Sequence, residues 1–421
     1  MKEVAEKIAG EIRTKGIISF ARFMELALYC PVYGYYEKET DTVGRGGDYY
    51  TSVSVGSLFG ELLAFQFAEW LCQCGLSSAG RRVAKRDDKL ESSDGHKQRA
   101  QVEGHKPANQ MRIVEAGAHD GSLARDILSW LREYRAELFE RLEYWIVEPS
   151  AQRRELQRTN LGGFAGHVRW APDLRALAET PHSALQTQPS ERVRGIIFSN
   201  ELLDAMPVHR LKWDAKRGAW FEWGVTFESG RFVWAIMDRD QESGIQSSGL
   251  NVLWSQSPPP FPSLSFPVPT LEEVLPDGFT TDISPAAEEW WSEAATILAC
   301  GKLLTIHYGL AAEGLFAPER KAGTLRAYYR HRSSNDLLAN PGEQDLTAHV
   351  NFTALRSAGE SAGLKTEAFV TQMQFLTQVA QQTWKGKACF GEWTPKRRSQ
   401  FQTLTHPEHL GRPFRVLVQS R

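Results

Sequence analysis

Two short acid-bearing runs hold the side chains best suited to chemistry. The first is Glu115-Ala116-Gly117-Ala118-His119-Asp120-Gly121-Ser122, entered through the β-branched pair Ile113-Val114. It reads as a buried strand, a tight glycine turn and a helix start. Gly117 and Gly121 let the backbone turn sharply and leave room for a ligand against the main chain. Ser122 is expected to cap a helix that buries Leu123, Ile127, Leu131 and Tyr134. A strand, loop and helix of this kind place a ligand at the switch point of a doubly wound sheet. A dinucleotide fingerprint would need G-x-G-x-x-G, with a helix N-terminus on a pyrophosphate. The frame here is E-x-G-x-x-x-G, with His119 at the middle position. An acid entering the loop suits S-adenosylmethionine better, because that molecule offers an amino-acid moiety and a sulfonium cation instead of a phosphate. The plain alternative is a structural turn.

The second run is Asn200-Glu201-Leu202-Leu203-Asp204-Ala205-Met206-Pro207, whose Asn200 ends a buried strand expected at 195–200. Polar groups at that strand's carboxyl end face the ligand crevice. A helix starting there would turn Glu201 and Asp204 to one side; Asn200 could instead be only a helix cap. Between the two runs, Tyr144-Trp145-Ile146-Val147-Glu148 reads as a strand one βαβ unit after the first. An acid in the place of Glu148 commonly accepts both ribose hydroxyls of a nucleoside.

These groups need elements to carry them. Helices are expected at residues 2–13, after the Ser19 cap, from Leu58 to Trp70, from Pro149-Ser150, and from Ser284-Pro285 to about Ala299, where Gly301 stops the last. Tyr33-Gly34-Tyr35-Tyr36 and Gly44 to Ser52 read either as a surface loop or as a ligand lid, with Gly47, Asp48 and Thr51 giving polar contacts. Residues 208–237 alternate apolar and polar side chains in an antiparallel meander. The proline-rich stretch 257–269 is a linker. Strands are expected at 168–170, 302–309, 364–370 and 414–418, while the segments at 323–329 and 341–352 look too irregular for core. Residues 79–110 are charged and poor in apolar side chains, so they read as a disordered insertion.

Composition removes several classes. The chain has 421 residues, a net charge of −2 and five cysteines. Nothing global favours nucleic acid or an anionic membrane. The odd cysteine count, without paired C-x-x-C spacing, argues against a disulfide framework or a zinc site, so no metal is expected. Cys72 and Cys74 read as core packing, and a reducing compartment fits. The acidic first residues show neither a secretory signal nor a mitochondrial presequence, and no run reaches the roughly 18 apolar residues of a membrane span. A cytoplasmic location is the expectation.

Taken together and in order, these motifs resemble a known family. Besides the two runs, they include Gly47-Asp48-Tyr49-x-Thr51-Ser52, Gly323-Thr324-Leu325-Arg326, Pro341-Gly342-x-x-Asp345-Leu346-Thr347-x-His349-Val350, Thr371-Gln372 and Phe375-Leu376. The sequence is similar to the MidA family of class I methyltransferases, relatives of the mitochondrial arginine methyltransferase needed to assemble respiratory complex I. It departs from the family pattern at His119, where a glycine is usual, and at His307, where an aspartate is.

The resemblance implies an α/β fold: a Rossmann-like seven-stranded class I methyltransferase sheet with an N-terminal helical and lid region at 1–78 and the methyltransferase domain from 111 to 421. The inserted antiparallel meander falls at about 208–238. It implies S-adenosyl-L-methionine as cofactor, held by Gly47, Asp48, Thr51, Glu115, Gly117, Asp120, Gly121, Glu148 and Asn200. It implies methyl transfer to a protein arginine by Glu201, Asp204 and Asn200, with Asp345 and His349 positioning the substrate. The implied partner is a protein, with no nucleic acid and no membrane span; a homodimer is left open. Two other readings stand beside this one: methylation of a small molecule, and a non-catalytic assembly factor that only binds a partner.

Overall fold

The computed structural model describes residues 3–38, 51–79, 111–179, 192–237, 275–329, 332–384 and 390–421. Expectations for Gly47, Asp48, residues 80–110 and the linker 257–269 lie outside them. Seven strands form the central sheet in line: β1 (Met111–Ala116), β2 (Leu142–Val147), β3 (Val168–Ala171), β4 (Val193–Asn200), β5 (Leu298–Leu310), β6 (Lys365–Thr371) and β7 (Phe414–Ser420). Their spatial order is β3-β2-β1-β4-β5-β7-β6. β1 to β5 run parallel, and β7 lies antiparallel between β5 and β6. The two-residue strand Val350–Asn351 pairs with the end of β5 as an eighth member, one more than expected.

β1 and β2 are buried along nearly their whole length, which is why they read as unbroken apolar runs and not as alternations. One face of the sheet packs against the helices Leu58–Ala79, Ser122–Tyr134 and Gln372–Trp384. The other packs against Pro285–Ile297 and Phe352–Ser361. Phe59, Leu62, Leu63 and Phe67 are fully buried in the first layer, and each such burial stabilises by about 1.5–3 kcal/mol.

The helices Glu3–Lys15 and Phe20–Tyr29 form a third cluster with the meander and with Leu325, Ala327 and Leu346. Ser19 caps the second of these helices through the Arg22 N–H at 3.2 Å. The meander strands His209–Asp214, Ala219–Glu228 and Arg231–Ile236 are joined by Thr280–Ile283 and Ile18–Ser19 into a five-stranded sheet. Ser229 and Gly230, both at positive φ, make its tight hairpin turn.

Several expectations need correction. Ser122 is the first helical residue and not the cap; Gly121 holds the cap position in left-handed conformation, and the Ser122 N–H and hydroxyl both donate to Asp120. Gly301 does not stop a helix. It lies inside β5, which begins at Leu298, and a Cβ there would meet the Gly195 carbonyl at 1.8 Å, so the glycine permits close approach of two strands. The two segments expected to be too irregular for core supply the strands Arg326–Tyr329 and Asp345–Thr347, which form a three-stranded sheet with Arg332–Ser334. Cys72 is exposed on the outer side of its helix rather than packed in the core.

Candidate active site

A cavity of about 890 Å³ opens at the carboxyl ends of β1, β2 and β4, where the strand order reverses. That volume suits a nucleoside with room for a second side chain. The turn after β1 forms one side. Gly117, His119 and Gly121 all have positive φ there, at 73°, 49° and 84°. A Cβ on Gly117 would come within 2.8 Å of Leu202 Cδ1, so the glycine lets this turn pack against the loop after β4. Asp120 accepts hydrogen bonds from the Ser122 N–H at 2.9 Å and its hydroxyl at 2.7 Å. Burial opposes ionisation of Asp120, but these bonds and His119 hold its carboxyl well below the usual range. Glu115 is buried and accepts the Tyr144 hydroxyl at 2.7 Å; burial pushes its carboxyl up to about 7.

Glu148 stands just past β2. It accepts the Ser150 N–H at 3.0 Å and the Gln157 side-chain amide at 3.2 Å, and burial raises its pKa. The same Gln157 amide donates to the His119 carbonyl at 2.9 Å, while its oxygen accepts the Trp170 indole N–H at 3.0 Å. Gln157 therefore ties the glycine turn to Glu148. Sequence reading missed it. No sequence signal marks it: it is one of several polar residues in its helix, and only the fold buries it.

The loop after β4 forms the other end. Glu201 sits at φ 53°, a left-handed conformation that costs a non-glycine residue on the order of 1–3 kcal/mol. Its N–H donates to the Ile306 carbonyl at 3.1 Å, and its carboxylate accepts the Ser52 N–H at 3.3 Å and the Asn200 amide at 3.2 Å. Burial, reinforced by the charge of Asp204, raises its pKa to about 7 against the opposing pull of His307. The carbonyl oxygen of the Asn200 side chain is buried and without a hydrogen-bond partner. The expected helix is only the 3-10 turn Leu203–Ala205, since Pro207 and the strand that follows leave no room for more.

Asp204 is held from two sides. His307 Nε2 lies 3.0 Å from one carboxylate oxygen, and the Tyr308 hydroxyl donates to the other. His307 Nδ1 donates to the Tyr308 carbonyl at 2.9 Å. Burial favours neutral imidazole, but Asp204 outweighs it and raises the His307 pKa. His307 thus forms a buried pair with Asp204 that is ionic when the imidazole is protonated, and the raised pKa favours that state.

Asp345 accepts the Tyr36 hydroxyl at 2.9 Å, and Tyr36 stacks on Tyr29 with ring centroids 5.6 Å apart. Thr51, Glu115, Gly117, Asp120, Glu148, Asn200, Glu201, Asp204 and Asp345 all line the cavity, and Gly121 closes the first turn behind it. His349 does not line it. Its ring sits behind Tyr308, 5.5 Å between centroids, and burial pushes its pKa down to about 4. Tyr308 and Arg153, which sequence reading passed over, do line the cavity.

A model of a family of S-adenosyl-L-methionine-dependent methyltransferases matches residues 98–370, more than half of the chain. The chain belongs to this family. The methyltransferase is 27% identical to a solved Burkholderia thailandensis protein bound to S-adenosyl-homocysteine, with a TM-score of 0.73 over 99% of this chain and 92% of that one. It is 24% identical to the mitochondrial protein arginine methyltransferase NDUFAF7 homolog of Drosophila melanogaster, over 99% of this chain and 84% of the relative. Against NDUFAF7 of Danio rerio, identity is 26% over 98% and 86%.

S-Adenosylmethionine is the methyltransferase's cofactor, and the cavity's donor set fits it. Ten Asp and Glu residues line the cavity among the described residues, against three Lys and Arg. That balance favours cationic ligands and disfavours a pyrophosphate.

Proposed function

We propose that this methyltransferase acts on an arginine guanidinium of a partner protein. The observation that carries the reading is that Glu201, Asp204 and Asp345 line one cavity, with Asp204 acting electrostatically on Glu201 and, together with Asp345, on the Tyr29 hydroxyl. A guanidinium is a poor nucleophile, since its lone pair is delocalised and its pKa lies above about 12. Carboxylates that fix it and localise its charge are what such a substrate requires. The names of the mitochondrial relatives support the same substrate.

When bound, S-adenosylmethionine supplies a methyl group on a sulfonium sulfur. In this reading Glu148 accepts the ribose hydroxyls. The Gly117 turn leaves its backbone open beside the amino-acid moiety. The orphaned oxygen of Asn200 accepts an N–H from cofactor or substrate. Glu201 polarises the guanidinium and takes the proton that the methylated nitrogen releases. Alignment supplies much of the rate in an in-line displacement, and the strained Glu201 backbone, pinned by Ile306 and Ser52, keeps that carboxylate fixed.

We further propose that the protein works in the cytoplasm; its relatives are named mitochondrial, and cell fractionation decides. The central test incubates the purified protein with methyl-labelled S-adenosylmethionine and an extract from cells lacking it, followed by mass spectrometry of the hydrolysate. Labelled methylarginine is the expected product. Label in a small molecule overturns the protein substrate. Cofactor binding without any labelled product leaves the binding-only assembly factor.

A further inference from the structure

Resting on the arginine reading, a division of labour can be drawn among the three carboxylates. Tyr36 comes from the turn Tyr35–Glu37, Asp345 from the first position of the strand Asp345–Thr347, Asp204 from the turn after β4 and Tyr308 from the end of β5. All four line the cavity. Both carboxylates act electrostatically on the hydroxyls of Tyr29 and Tyr308, so the two pairs are neighbours in the cavity.

In each pair the tyrosine hydroxyl donates to one carboxylate oxygen. A carboxylate has about four lone-pair sites: Asp204, bonded to both Tyr308 and His307, keeps acceptor capacity beyond those two bonds, and the Tyr36 bond orients Asp345. The frame that holds the pairs is a continuous chain of contacts. Arg153 Nε donates to the Tyr36 carbonyl at 2.8 Å, Tyr36 stacks on Tyr29, and the Tyr29 hydroxyl donates at 2.9 Å to the carbonyl of Ala205, next to Asp204. Glu201 lies outside this frame, bonded to Ser52 and Asn200.

We propose that the Tyr36–Asp345 and Tyr308–Asp204 pairs form the receptor for the substrate's planar cation, leaving Glu201 as the proton acceptor. A guanidinium carries five N–H donors in one plane and can bridge two fixed carboxylates. An ammonium is a point charge with three donors and meets both less well. A neutral ureido group of the same shape lacks the charge. Tyr36 and Tyr308 are positioning residues in this scheme, and the N-terminal turn becomes a wall of the active site.

The test measures binding of Nα-acetyl-arginine amide, and of its lysine and citrulline counterparts, to the full protein saturated with S-adenosylhomocysteine, by saturation-transfer NMR titration. The arginine probe is expected to bind several-fold tighter than the lysine probe, with the citrulline probe weakest. Tyr36→Phe and Tyr308→Phe keep the rings and remove one charge-assisted hydrogen bond each. They are expected to weaken the arginine probe by roughly tenfold while S-adenosylhomocysteine affinity, read by calorimetry, stays the same. Equal affinity for the citrulline probe overturns the receptor, and so does unchanged arginine affinity in both Phe variants. The arginine probe behaving as expected while cells yield no methylarginine supports the receptor and refutes only the methylation reading. Methylarginine formed at unchanged KM in both variants does the reverse.

Discussion

The two ends of the cavity are built by different means. The end around Glu115, Gly117, Asp120 and Glu148 comes from one βαβ unit, and its shape is set by backbone: positive φ at the alternate positions Gly117, His119 and Gly121 and a turn closed by the Gly121 N–H on the Ala118 carbonyl at 2.7 Å. The end around Glu201, Asp204 and Asp345 is assembled by side chains from segments far apart in sequence, with Tyr36 bonded to Asp345 and Tyr308 to Asp204. A backbone-built end tolerates few changes of residue type but depends on few partners. A side-chain-built end fails when any distant segment is displaced. The first suits a ligand shared by many enzymes, the second a substrate peculiar to one.

The sharpest way to separate the ends is Glu201→Gln. Single-turnover methylation is expected to fall roughly 10²-fold or more, corresponding to about 2.7 kcal/mol of transition-state stabilisation, with cofactor affinity nearly unchanged. A near-normal rate would remove Glu201 from the mechanism. The wild-type rate should rise with pH through about 7 as Glu201 ionises, and that inflection should vanish in the variant.

Stability should move the other way. The folded-state pKa values of Glu115 and Glu201 are raised from 4.5 to about 7. Their contribution is therefore fully present below about pH 4.5 and is lost as pH climbs through about 7. Thermal melts across that window check the sign.

A smaller effect is expected at the other end. Gln157→Leu removes the link between Glu148 and the His119 carbonyl and should weaken S-adenosylmethionine roughly tenfold, as loss of a hydrogen bond to a charged group does. An equal loss in methylation rate at saturating cofactor would mean that the ends are coupled rather than separate. The smallest effect is expected from replacing residues 81–108 with a short Gly/Ser linker. Melting temperature and cofactor affinity should hardly move, because the segment has few apolar residues to contribute to a core; a large drop in melting temperature would show that it packs.

The contrast also explains what could be read in the chain beforehand. Glu115, Gly117, Asp120 and Glu148 were legible because strand, turn and acid follow one another within a few residues. The sheet's strands were legible because burial on both faces leaves continuous apolar runs. Asp204 was legible as a residue but not in its setting, since nothing local says that His307 and Tyr308 close on it from a strand about a hundred positions later. Tyr308 was recoverable: it lies at the carboxyl end of a parallel strand, where side chains face the crevice. His349 misled because its motif neighbour Asp345 does reach the cavity, whereas the turn between them sends the His349 N–H to the Thr324 hydroxyl instead. The sheet at 326–347 escaped because its strands are three or four residues long and carry charged and aromatic side chains without alternation.

β7 has a consequence for how the molecule is made. It lies between β5 and β6 yet follows both in the chain. During synthesis, β5 and β6 leave the ribosome first, each with a bare hydrogen-bonding edge where β7 will later insert. Such edges are templates for pairing with other chains, and domains completed by a late strand pass through states prone to aggregation. The sheet can be zipped shut only once residues 414–420 have emerged, so nascent chains stalled between Thr371 and Phe414 should be the species that chaperones capture most.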